Sequence, residues 1–154
     1  LVVLFYTNSP FLVGLCYALG FLAEFVVGYF GGALVDSFNR RKTLITIAIS
    51  QAALISMIPI LHHFNLLHIP LLLVISFCVD LLISLYGIAD RSIIPEIVKR
   101  EDLPKANSYM QMSMSIATSI GPSLAGIFIT VLGLFNSLWI TFSGFILLIF
   151  SIRL

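Results

Sequence analysis

Charge is what this sequence has least of. Asp, Glu, Lys and Arg make up only 10% of its 154 residues, against about 25% in a soluble globular domain, whose surface water must solvate. Hydrophobic residues reach 60% and the mean hydropathy is +1.12, so a soluble globular domain is excluded and a surface facing lipid is implied. A net charge of +1 leaves no electrostatic footprint for nucleic acid or for an acidic partner. Cysteine is scarce too. Cys16 and Cys78 both fall inside apolar runs, which indicates neither a disulfide framework nor a metal site. The HExxH and GxSxG patterns are missing, which removes the recognisable metal and nucleophile of an intramembrane protease. No cofactor signature replaces them, and we expect neither an enzyme nor a bound cofactor. Strand-like alternation is absent as well, which disfavours a membrane barrel.

What is present is long apolar runs. The stretches 10–35, 43–61, 70–89, 107–132 and 137–152 each approach the roughly 20 residues that cross a hydrocarbon core. Polar breaks at 7–9, 36–42, 62–69, 90–106 and 133–136 separate them. Because backbone groups in lipid must be satisfied internally, such runs joined by short loops predict an all-α polytopic bundle. Ser9-Pro10 and Ile69-Pro70 are helix starts, where proline's missing donor costs nothing. Residues 1–6 read as the end of an earlier span. The chain opens on Leu1 without a signal-peptide pattern, and we expect a fragment of a longer protein. Arg40, Arg41, Lys42, Arg91, Lys99, Arg100, Lys105 and Arg153 all fall in alternate breaks or just past the last run. Cytoplasmic loops retain Lys and Arg, so 36–42, 90–106 and the chain's end are expected to be cytoplasmic. Tyr6, Phe11, Phe64 and Tyr109 read as interfacial anchors. An end of one span plus five more makes two triplets, the count of an inverted three-helix repeat.

Residues 32–44 read Gly-Ala-Leu-Val-Asp-Ser-Phe-Asn-Arg-Arg-Lys-Thr-Leu. Gly32, Leu34, Asp36, Arg40, Arg41 and Leu44 match in register the loop between helices two and three that marks the major facilitator superfamily, which this segment resembles. Ser37 stands where that pattern has arginine, and Asn39 where it has a turn glycine. Asparagine is the next-best residue at positive φ, so the turn is expected to survive. Asp36 would end a helix whose carbonyls already carry partial negative charge, and so it needs compensation from Arg40, Arg41 or another helix's N-terminus. Contacts that hold in one conformation and break in another bias a gate, and the resemblance implies such a latch on the cytoplasmic side. A positive cluster that only fixes topology is the plainer alternative.

The segment 90–126 carries Arg91, Pro95, Ala106-Asn107, Gly121-Pro122 and Gly126 in order. It resembles the macrolide and multidrug exporter branch of that superfamily, with Ala117 and Ala125 at two of the small positions of its antiporter-type helix. Gly-Pro inside a span suits a bending or packing point; an ordinary kinked bundle helix is the alternative. A related branch has an arginine four residues before a glycine of helix four. Here Ile83 precedes Gly87, which tells against a proton mechanism through that arginine. The resemblance implies the amino-terminal half of a major facilitator fold (the end of helix one plus helices two to six) over 1–154. It implies a secondary transporter working by alternating access in the plasma membrane, with proton-coupled efflux of drug-like amphipathic compounds. Its partners would be the lipid bilayer, the carboxy-terminal half of the same transporter, a small-molecule substrate and protons, with no nucleic acid. Solute/proton symport for uptake is a second reading, and a non-transporting membrane scaffold or assembly protein a third of another class.

Glu24 and Asp80 are the acids deep inside these runs. An acid in lipid costs a few kcal/mol, so both should face the bundle or water. Gly20, Glu24, Gly28 and Gly32 recur every four residues as a small-residue face expected to pack against helices. Ser76, Asp80, Ser84 and Gly87 form a second stripe; Gln111, Ser115, Thr118, Pro122 and Gly126 form a third. We expect all three to line one cavity. Glu24 and Asp80 are candidates for proton coupling or for binding a cationic substrate, or else protonated acids hydrogen-bonded within the bundle. His62, His63 and His68 lack a carboxylate or cysteine companion and read as a solvated outward loop, with no metal site.

Overall fold

The computed structural model describes residues 2–36 and 38–153, the side chains of Leu34, Asp36, Glu96, Ile97 and Arg153 excepted. The described residues form helices and contain no strand: α1 (Val2–Thr7), α2 (Pro10–Asp36), α3 (Arg40–His63), α4 (Ile69–Ile97), a single 3-10 turn (Arg100–Asp102), α5 (Leu103–Leu132) and α6 (Leu134–Arg153). α2 to α6 are each long and apolar enough to cross a membrane, and the chain is an all-α polytopic membrane protein.

Every span is longer than its apolar run. α3 gains a turn at its start and two residues at its end, and α4 continues through Arg91 and Pro95 to Ile97. The expected loop 90–106 therefore shrinks to Val98, Lys99 and the 3-10 turn. Apolar length marks only the hydrocarbon core, while helices carry on into the headgroup layer, where charged side chains reach water. At the end expected to face outward, one residue, Gly133, joins α5 to α6. Its φ of 82° is left-handed, and its amide donates to the Ile129 carbonyl, ending α5 at the position where glycine carries no Cβ penalty.

Asn39 departs from expectation. Its φ is −64°, and its side chain accepts from the Lys42 amide as the N-cap of α3. Capping satisfies one of the amides that a helix start leaves unpaired, so the position needs a short polar acceptor and no left-handed turn. Asparagine does take the left-handed conformation in this chain, but at Asn8 and Asn65 in the outward turns.

α2 lies along α4, α3 packs between α4 and α6, and α5 rests chiefly on α6. Two apolar clusters hold the bundle at opposite ends. At the outward end Val3, Ile58, Leu67, Leu72 and Ile75 are buried together. Beside them His62 stacks on Phe135 with ring centroids 3.5 Å apart, and the Tyr6 hydroxyl donates to the Leu67 carbonyl. His62 is thus a half-buried residue of α3's last turn, and it does not belong to the solvated loop the sequence suggested. At the opposite end, expected to be cytoplasmic, Val35, Leu44 and Ala89 form the second cluster.

Candidate functional site

Between the two clusters a cavity of about 840 Å³ runs along the groove of α2 and α4. α2 contributes Cys16, Tyr17, Gly20, Phe21, Glu24 and Gly28 to its wall; α4 contributes Ser76, Asp80, Ser84, Gly87 and Arg91. Val2, Val3, Ile58 and Leu72 make its outward end apolar. At a rise of about 1.5 Å per residue, Glu24 stands about 21 Å along α2 and Asp80 about 17 Å along α4, so both carboxylates lie near mid-membrane. Their helices carry them to one cavity from two walls.

The α2–α4 seam explains how the groove opens. Ala23 and Val27 are buried in it, and a methyl group added at Gly31 would stand 3.0 Å from Ile88 Cδ1 and 3.3 Å from Leu85 Cδ2. At Gly20 an added methyl would stand 3.1 Å from Asp80 Oδ2. Close approach therefore runs through Gly20, Ala23, Val27 and Gly31. The four-residue stripe expected from the sequence diverges from this line. Gly28 lines the cavity, and neither Gly28 nor Gly32 has an atom within 4 Å of a built Cβ.

The third stripe is placed elsewhere. Residues 111–120 are all exposed, and Gln111, Ser115 and Thr118 do not line the cavity; α5 reaches it only through Met114. The Thr118 hydroxyl is bound to the Met114 and Ser115 carbonyls of its own helix. The physical reason is that α5 leans on α6 and stands away from α2 and α4. Gly121 and Ala125 line a second hollow of about 360 Å³ against α6. Within this chain neither Gly121 nor Gly126 meets another residue at close range, and α5 continues unbroken through Pro122. Asn107 is exposed near the start of α5.

At the start of α3 two arginines reach the neighbouring helices. Arg40 Nη1 donates to the Ser92 carbonyl of α4 at 2.6 Å, and Arg41 Nε donates to the Ile152 carbonyl of α6 at 2.7 Å. Ile152 lies in the last turn of α6, where carbonyls lack helical partners and attract cations. These cross-helix bonds had no signal in the sequence beyond the basic pair itself. The side chain of Asp36, for which Arg40, Arg41 or a helix N-terminus was the expected partner, and Ser37 beside it lie outside the described residues.

A model of the transmembrane secretion effector family matches residues 2–153. Macrolide efflux protein A of Streptococcus pyogenes is 27% identical over 125 residues, 81% of this chain and 31% of that protein. The protein of the same name from Enterococcus faecalis is 28% identical over 113 residues, 73% of this chain and 35% of that protein. The chain thus spans about a third of the length of the curated relatives it matches. No solved structure matches it significantly.

Proposed function

This chain belongs to the transmembrane secretion effector family of the major facilitator superfamily, and from that premise we propose that it is the amino-terminal half of a secondary active exporter. It works by alternating access in the plasma membrane and moves bulky, drug-like amphipathic compounds outward in exchange for protons. The carboxy-terminal half of the same transporter supplies the facing wall. The observation that carries the reading is the pair of mid-membrane carboxylates, Glu24 and Asp80, on two walls of one cavity. Acids at that depth are costly unless they hold a proton or a cation. Tyr17 and Phe21 beside them offer flat, apolar surface to an amphipathic guest, and aromatic faces also attract organic cations. The name of the macrolide efflux relatives supports the outward direction. Arg40 and Arg41, by tying α3 to α4 and α6, make the cytoplasmic end of the half move as a unit, and Asp36 is the part of the loop that latches it.

The test is energised transport of a fluorescent amphipathic cation by the full-length protein in inverted membrane vesicles, with and without a proton uncoupler. Uncoupler-sensitive accumulation is expected, and it falls when Asp36 is changed to Asn. Movement in the opposite direction with the proton would replace export by symport. No movement of any solute under any gradient would leave a scaffold role and sink the transporter reading.

A further inference from the structure

We propose that Gly20 is a positioning residue for the Asp80 carboxylate, holding it in the α2–α4 seam by leaving a space that any side chain would fill. This rests on the reading that Asp80 takes part in transport. A Cβ at position 20 would stand 3.1 Å from Asp80 Oδ2 and 3.6 Å from its Cγ, and apart from α2's own chain it would meet no other atom of the described residues within 4 Å. The contact is therefore specific: a side chain at 20 collides with this carboxyl group alone. A carbon 3.1 Å from an oxygen is tighter than ordinary packing contacts, so the carboxylate has to give by a few tenths of an ångström. One turn away on each helix stand Cys16 and Ser76, which line the same cavity. A displaced Asp80 shifts away from α2 and towards the open cavity that it already lines. The place where a proton or a cationic group is held then moves off the α2 wall.

Other glycines of α2 lack this relation. Gly14 is exposed, lies outside the cavity wall and has nothing within 4 Å of a built Cβ, which makes Gly14→Ala the matched control for helix propensity. Cys16 gives a reporter independent of transport, because it stands one turn from Gly20 and lines the same cavity as Asp80.

The experiment uses full-length protein in vesicles and four variants: Gly20→Ala, Gly14→Ala, Asp80→Asn and the Gly20→Ala/Asp80→Asn double. Transport of the fluorescent cation is measured alongside the alkylation rate of Cys16 by a small maleimide, read by mass spectrometry on the peptide that carries it. Gly20→Ala is expected to lower transport several-fold and to change Cys16 alkylation several-fold, while Gly14→Ala changes neither. Gly20→Ala should add no further loss to Asp80→Asn, since both act on one group; a packing role would give losses that multiply. The proposal is overturned if Gly20→Ala behaves as Gly14→Ala in both assays, or if the double variant loses the product of the single effects. Altered alkylation with normal transport in Gly20→Ala and Asp80→Asn alike would uphold the positioning and reject Asp80's part in transport.

Discussion

At Gly31 a methyl group would stand 2.8 Å from Val27 Cγ1 and 3.0 Å from Ile88 Cδ1, closer than packed carbons tolerate. Gly31→Ala should therefore push α2 off α4 and cost about 1–3 kcal/mol, the usual penalty of overpacking. Thermal unfolding in detergent measures it, and a melting temperature equal to that of Gly14→Ala would refute the close seam. For the carboxylates, Glu24→Gln and Asp80→Asn should each slow proton-driven transport by about tenfold or more, equivalent to about 1.4 kcal/mol of barrier. Each should also flatten the dependence of rate on pH. Unchanged pH profiles in both would remove them from the coupling. Which glycines matter was only partly readable beforehand. A stripe repeating every four residues advances about 40° per step around a helix of 3.6 residues per turn. Beginning at Gly20 in the seam, it drifts through Glu24 and Gly28 into the groove. The 3-4-4 spacing of Gly20, Ala23, Val27 and Gly31 returns almost to the same side and forms the ridge that α4 meets. The two acids were readable as lying at mid-span from their depth alone; that Glu24 is exposed and Asp80 half-buried on two walls of one cavity depends on helix neighbours that periodicity does not supply.

At the scale of elements, the α2–α3 link is held by side chains that close helix ends. Asn39→Ala removes the acceptor for the Lys42 amide and should lower stability by about 1 kcal/mol, while Asn39→Asp should retain it. Asn39→Gly is the informative comparison. If Gly stabilises the protein relative to Asn, the position prefers a left-handed turn and the cap assignment is wrong. Span number and order were fully readable, because apolar length and proline punctuation are local properties. Span ends were not, since helices at the headgroup level carry charged residues, as α4 does at Asp90 and Arg91. The α5 stripe was misplaced because helical spacing reports which residues share a face and not which neighbour that face meets.

On the scale of the whole molecule, the distribution of Lys and Arg predicts sidedness. The helix ends and the short link that carry the basic residues, from the start of α3 to the link between α4 and α5, fall at the end that holds the Val35–Leu44–Ala89 cluster. Single cysteines at Lys99 and Asn65, in a full-length protein lacking other reactive thiols, should be labelled by an impermeant maleimide from opposite sides. Lys99→Cys should react only in inverted vesicles and Asn65→Cys only in intact cells. Labelling of both from one side would overturn the topology. The two ends are also fastened differently. The outward end relies on apolar packing and the stacked rings of His62 and Phe135, whereas the cytoplasmic end adds arginine bonds to backbone carbonyls.

The one-residue join at Gly133 has a bearing on biogenesis. With α5 and α6 separated by a single left-handed glycine, the pair is a ready-made helical hairpin whose outward tip exposes little besides Asn136, since the Ser137 hydroxyl is bonded to the Leu134 carbonyl. Almost nothing hydrophilic has to be carried across the bilayer when this pair inserts. α5, with its Ser, Thr and Gln residues, can therefore enter the membrane together with the more apolar α6, and lengthening the tip with charged residues should hinder that step more than changing either helix.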